Sequence, residues 1–324
     1  MRAIPRTAAA RIAAAVVASM LVAAAAPAHA QRAARPLPAS RLTVWDGAEW
    51  REWWRSARAP ARWTDSLGAR TGLDGLARWR TVAPGVELGE LRLAGSGEAW
   101  RTRAVLVRLD PALVRLRLEV ATSRSATAGG WTIDRAPATA IVAFNAGQFT
   151  GASPWGWLVR DGRELLSPGR GPLAPAVIVD TAGRVEILEA ARIPMRRGAG
   201  DVAQAFQSYP ALLLHDAAVP AALRANGPRV DVAHRDARLA LGVLADGRML
   251  VALTRFDALG GALDAAPFGL TTPEMAALMG ALGARRAVAL DGGISAQLLV
   301  RDAEGEHRWP GMRAVPLGLV VERR

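Results

Sequence analysis

The chain of 324 residues has no cysteine. Disulfide scaffolds, thiolate zinc sites, iron–sulfur clusters and thiol nucleophiles are therefore excluded. Lysine is absent too, so all 41 basic residues are arginine. Only four histidines occur (His29, His215, His234 and His307), which does not furnish a histidine-rich metal centre. No run of five basic residues and no nucleic-acid-binding motif accompanies the net charge of +12. A nucleic-acid footprint needs a clustered patch, so no nucleic-acid partner is expected. The scattered charge suits a general attraction to anionic substrates. With 51% hydrophobic and 22% charged residues, the composition is that of a folded globular chain.

A membrane-length apolar run is also missing. Ile12 to Ala26 is uncharged and apolar, but its 15 residues fall short of the roughly 20 needed to span a bilayer. Arg2, Arg6 and Arg11 precede it, Pro27 follows, and Ala28-His29-Ala30 gives a small-x-small cleavage pattern. Residues 1–30 thus read as a signal peptide, with Gln31 the expected mature N-terminus. Losing the three leader arginines takes the charge from +12 to +9. A periplasmic or secreted protein is expected, with no stable membrane insertion after the signal is removed.

Residues 31–85 read as a polar tail followed by a Trp-rich helical segment, and residues 86–324 as the main domain. Trp50, Trp53 and Trp54 stand at i, i+3 and i+4, a spacing that predicts one face of a helix. That stripe either docks on the main body or offers aromatic faces to sugar rings. Beyond Pro84-Gly85, the segments 86–93, 101–109 and 114–120 alternate apolar and polar residues as half-buried strands do. Asp161-Gly162, Ala182-Gly183 and Asp246-Gly247 each sit midway between two strand-like runs and predict hairpins. Residues 272–283 predict a helix, with Thr272 as N-cap, Pro273 first in the helix and Gly283 closing it. Many strands and few helices, without βαβ alternation, give an α+β class. It has a mixed, largely antiparallel sheet with helices packed on it.

Three segments carry polar groups at strand ends, where reacting groups are usually placed. They are Asn145-Ala146-Gly147-Gln148-Phe149, Arg238-Leu239-Ala240-Leu241-Gly242 and Leu290-Asp291-Gly292-Gly293-Ile294-Ser295. Taken in this order the three resemble the landmarks of the phosphodiester glycosidase family: an Asn-Gly-Gly-Phe-Phe-like segment, an Arg-x-Ala-x-Gly strand and a Leu-Asp-Gly-Gly-Gly-Ser-Ser-like segment. Leu282-Gly283-Ala284, Ala287, Ala289 and Asp246-Gly247-Arg248 match as well. The resemblance covers roughly residues 86–324. Ala146 and Ile294 replace glycines, Gln148 a phenylalanine and Ala296 a serine.

The resemblance implies hydrolysis of sugar 1-phosphodiesters. A phosphate leaving group with a second pKa near ~6 needs little protonation but does need a fixed cation. Arg238 suits that task, because its planar fork of donors matches phosphate oxygens. Gly292, Gly293 and Ser295 are expected to complete the anion cradle. Asp291 is the first candidate at the anomeric centre, unless it only caps the turn. On a strand His234, Asp236 and Arg238 would share one face, giving a base, a carboxylate and a phosphate ligand, or a salt-linked surface strand. Asn145, Gln148, Gln207 and Tyr209 are the candidate substrate contacts, although Gln207 to Pro210 also reads as an ordinary turn. No metal-ligand motif appears and no cofactor is expected. A Ca²⁺ or Mg²⁺ site built from scattered carboxylates and backbone oxygens leaves no sequence signature. The expected partner is a sugar-phosphate or envelope glycan. Two other functions fit the same residues: a non-catalytic carbohydrate-binding or exopolysaccharide-assembly protein, and a phosphodiesterase cutting the P–O bond.

Overall fold

A computed structural model describes residues 36–121, 130–227, 229–258 and 263–324. The expected signal peptide and the expected mature N-terminus at Gln31 lie outside the described residues. Among those described, no helix is long and apolar enough to cross a membrane.

The framework is a nine-stranded sheet. Its strands run in the order 211–213, 284–289, 239–244, 249–256, 102–109, 86–94, 41–45 and 50–55, and 80–83 also pairs with 86–94. A five-stranded sheet (305–309, 298–302, 142–145, 317–323, 114–120) covers one face. Another five-stranded sheet combines 163–166, 158–160, 202–207, 176–180 and 185–188. All pairings among the described strands are antiparallel, so the expected mixed sheet is corrected to an antiparallel one.

Alternation along the strands explains how the large sheet is covered twice. Leu239, Leu241, Val251 and Leu253 face the five-stranded sheet. Ala240, Leu250 and Ala252 face the core beneath the helix Thr272–Ala281. Met249–Phe256 is therefore buried throughout. The helix carries no polar stripe because all ten of its residues are buried. Gly280 lets the Trp63 indole lie directly against the helix backbone, in space that a Cβ would fill. Its N-cap is Thr271, one residue before the expected Thr272. The Thr271 hydroxyl accepts the Glu274 N–H at 3.3 Å, and Glu274 accepts the Thr271 N–H at 2.8 Å.

The tryptophan stripe is a strand. Trp50–Arg55 pairs with Arg41–Trp45, which continues the large sheet beyond Val86–Ala94. The reason is local. Asp46 accepts the N–H groups of Ala48 and Glu49, both at 2.9 Å, and Gly47 takes φ +108°, so the chain reverses there. Tryptophan also suits a pleated, half-buried surface. Trp50 is 48% exposed and packs against Trp45, whereas Trp54 is 5% exposed in the core. The three rings do not form a common platform.

Candidate active site

Three chain segments meet where the large sheet abuts its five-stranded neighbour. The strands 239–244 and 284–289 lie side by side, with Ala240 opposite Ala289. From Ala289 the chain crosses to the other sheet, where Leu298 pairs with Phe144. The crossing segment, 290–297, carries Asp291 and Ser295. It is pinned from both sides. Asn145, fully buried, donates to the Asp291 carbonyl at 2.8 Å and accepts the Gln297 N–H at 2.9 Å. The Asp291 N–H donates to the Gly147 carbonyl at 3.2 Å.

The paired glycines serve close approach. A Cβ on Gly292 would stand 2.7 Å from the Ala237 carbonyl oxygen. One on Gly293, at φ +58°, would stand 2.7 Å from an Asp236 carboxylate oxygen. The Gly293 N–H donates to the Ala237 carbonyl at 2.7 Å, so it is not free to cradle an anion as the sequence suggested. This contact seats Asp236 against the loop that bears Asp291.

Burial raises both carboxyls above the usual aspartate range. The Ser295 side chain and the Arg313 charge favour ionised Asp291, and the charge of Asp236 opposes it. One Asp291 carboxylate oxygen, Oδ2, is buried without a hydrogen bond. Asp236 Oδ1 accepts the Ala237 N–H at 2.9 Å, and Oδ2 lies 3.5 Å from His234 Nε2. Two neighbouring acids with unequal surroundings are the arrangement that separates proton donor from proton acceptor.

Arg238 adjoins Asp236. Its Nε donates to the Leu270 carbonyl at 2.8 Å and its Nη2 to the His234 carbonyl at 2.6 Å. Among the described residues no carboxylate lies within ion-pair reach of it. Burial lowers its pKa, against the raising effect of the Asp236 charge. A guanidinium oriented only by carbonyls keeps its charge available to an incoming anion. His234, Asp236 and Arg238 do come together, but on a loop leading into the strand and not on the strand face expected. The loop is anchored by Arg235, whose Nη1 and Nη2 donate to the Glu274 carboxylate at 2.6 and 2.8 Å. Glu274 is buried in the first turn of the helix Thr272–Ala281.

The amide residues are placed otherwise than the sequence suggested. Gln207 is buried, accepts from Trp157 N and Gly169 N at 2.8 and 2.7 Å, and donates to the Ala174 and Gly169 carbonyls at 2.9 and 3.2 Å. Every hydrogen-bonding position of that side chain is filled by main chain, so Gln207 is a brace. Asn145, fully buried, likewise clamps main chain through the Asp291 carbonyl and the Gln297 N–H. Gln148 donates to the Tyr209 carbonyl at 3.0 Å, and the Tyr209 hydroxyl donates to the Arg229 carbonyl. Both remain half-buried beside the site.

Two further arginines stand at the site outside the three motif segments. Arg313 lies with its guanidinium 4.7 Å from the Phe149 ring centre, and its main-chain N–H donates to the Ile294 carbonyl in the loop that bears Asp291. It is one of 41 arginines and carries no motif. Arg255 is fully buried and donates through Nη2 to the carbonyls of Ala296, Trp309 and Pro310 at 2.6, 3.1 and 3.0 Å. Burial lowers its pKa to about 10. An arginine inside the apolar run Leu250 to Phe256 was a legible signal.

A model of the phosphodiester glycosidase family matches residues 138–322, a span that holds all of these site residues. The chain belongs to the phosphodiester glycosidase family. The Trp-rich hairpin lies outside the matched span. Among solved structures, the catalytic domain of zebrafish N-acetylglucosamine-1-phosphodiester alpha-N-acetylglucosaminidase, auto-inhibited by its pro-peptide, is similar at 16% identity. That likeness has a TM-score of 0.57 and covers 76% of this chain and 86% of that one. A hypothetical protein from Synechocystis is also 16% identical, with a TM-score of 0.48, over 76% of this chain and 64% of that one. At these identities the zebrafish likeness shows a shared fold. No curated protein matches the chain.

Proposed function

We propose that the protein hydrolyses the glycosidic bond of sugar 1-phosphodiesters, releasing free sugar and a phosphomonoester, after export to the periplasm or beyond. The observation that carries this reading is Arg238, a cation oriented by two carbonyls beside the buried acids Asp236 and Asp291. Family membership supports the glycosidase class, and the N-terminal leader pattern supports export.

In this reading Arg238 grips the phosphate. The C1–O bond breaks with both electrons on the phosphate oxygen, whose developing charge the guanidinium holds. Asp291, ionised, stabilises or attacks the anomeric carbon, and Asp236 with His234 handles the proton of the incoming water. The Ser295 side chain favours the charged form of Asp291 against its burial. A panel of sugar 1-(methyl phosphates), with products followed by ³¹P NMR, tests the reaction. Methyl phosphate plus free sugar supports it; sugar 1-phosphate plus methanol shows P–O cleavage; no turnover of any member favours a binding protein.

A further inference from the structure

We infer that Arg313 is a specificity residue and that the preferred sugar carries its own negative charge, as a uronic acid does. This rests on the phosphodiester reading above and extends it to the sugar side of the site. The two site cations belong to different loops: Arg238 is tied to the His234 carbonyl in the loop that bears Asp236, while the main chain of Arg313 is tied to Ile294 in the loop that bears Asp291, the residue assigned to the anomeric carbon. With the phosphate on Arg238, the sugar ring falls on the Arg313 side.

Arg313 is built to read an anion. Its N–H donates to the Ile294 carbonyl at 3.1 Å, and its carbonyl accepts from Gln297 Nε2 at 3.4 Å. Gly311 allows the strap to lie tight on the site loop, since a Cβ there would stand 3.1 Å from the Ile294 and Ser295 oxygens. The guanidinium rests on Phe149, a stacking contact that arginine makes and that lowers the ordering needed on binding. Among the described residues it has no ion-pair partner, and it is exposed. Ile294 and Met312, 42% and 60% exposed, frame it with apolar surface that suits the C–H face of a sugar ring. A neutral sugar would leave this stacked cation unanswered; a carboxylate at the far end of the ring would meet its fork.

The test uses two non-hydrolysable probes, the C-glycoside methyl phosphonates of glucose and of glucuronic acid, with binding measured by calorimetry. The glucuronic probe should bind about tenfold or more tightly, as a charge-assisted bidentate contact implies, and the preference should shrink at high salt. Arg313→Gln should remove the preference by weakening the glucuronic probe alone. Equal affinity of the wild type for both probes would overturn the inference. So would an Arg313→Gln variant that weakens both probes equally, which would make Arg313 a residue acting only through Asp291. Because binding is read without turnover, a clear preference with no hydrolysis of the matching phosphodiesters would leave the inference standing and count against the hydrolase reading.

Discussion

Asn145→Ala separates a clamp from a substrate contact. The wild-type amide satisfies the Asp291 carbonyl and the Gln297 N–H in a fully buried position. Truncation strands both main-chain groups, at about 1–3 kcal/mol each, so the variant should lose roughly 2–6 kcal/mol of stability. For a domain of this size that corresponds to a fall in Tm of roughly 5–15 °C. Asn145→Asp keeps an acceptor for Gln297 but turns an oxygen toward the Asp291 carbonyl, so it should not rescue. Thermal and urea unfolding give the stability. Phosphonate binding to folded Asn145→Ala at low temperature gives the site, and affinity should survive because Arg238 is held from the other side by Leu270 and His234. Turnover should fall steeply, since Asp291 loses its fixed position. Unchanged stability with lost affinity would refute the clamp and restore Asn145 as a ligand contact.

Arg238→Lys keeps a charge but loses the fork, and kcat/KM on phosphodiesters should fall by roughly 10–100-fold, the worth of one charge-assisted hydrogen bond. Asp291→Asn should abolish turnover while phosphonate affinity stays within about tenfold, or about 1.4 kcal/mol. Gly293→Ala places a methyl group 2.7 Å from Asp236 at φ +58°; the variant should fold with a lower Tm and show a larger loss in kcat than in binding. Glu274→Gln leaves Arg235 without its carboxylate in a buried site and should cost about 3–5 kcal/mol in urea unfolding. Asp236 and Asp291 have folded pKa values above the ordinary 3.8, so the folded chain holds protons that the unfolded chain has released. Their contribution to stability is complete below 3.8 and is lost as pH rises through the folded values. Asp291→Asn should therefore lose less stability than wild type over that range in urea melts at stepped pH.

Local chemistry made much of the fold legible. Asp161 and Gly162 adopt φ +51° and +75° between the strands 158–160 and 163–166, as their hairpin signal required. Asp246-Gly247 likewise joins 239–244 to 249–256. The Trp50, Trp53 and Trp54 spacing misled because three positions in a six-residue strand cannot separate the two periods; the deciding fact was the Asp46-Gly47 turn before them. At the site, Asp236, Arg238 and Asp291 were visible as charged residues beside glycine and apolar strands. Asn145 and Gln207 were visible too, but an amide at a strand end serves a ligand or a backbone equally well until burial is known. A glycine pair suggests free N–H groups, whereas the bond to the Ala237 carbonyl takes one, and close approach to Ala237 and Asp236 requires both glycines. Arg313 comes to the site loop only through the strap 311–313 folding onto Ile294, a long-range contact that no local pattern encodes.

In the proposed reaction water attacks carbon and not phosphorus. Hydrolysis of a sugar 1-(methyl phosphate) in ¹⁸O-labelled water, with the products read by mass spectrometry, measures it directly. The label is expected in the sugar hydroxyl at C1 and none in methyl phosphate; label on phosphorus would contradict cleavage of the C1–O bond.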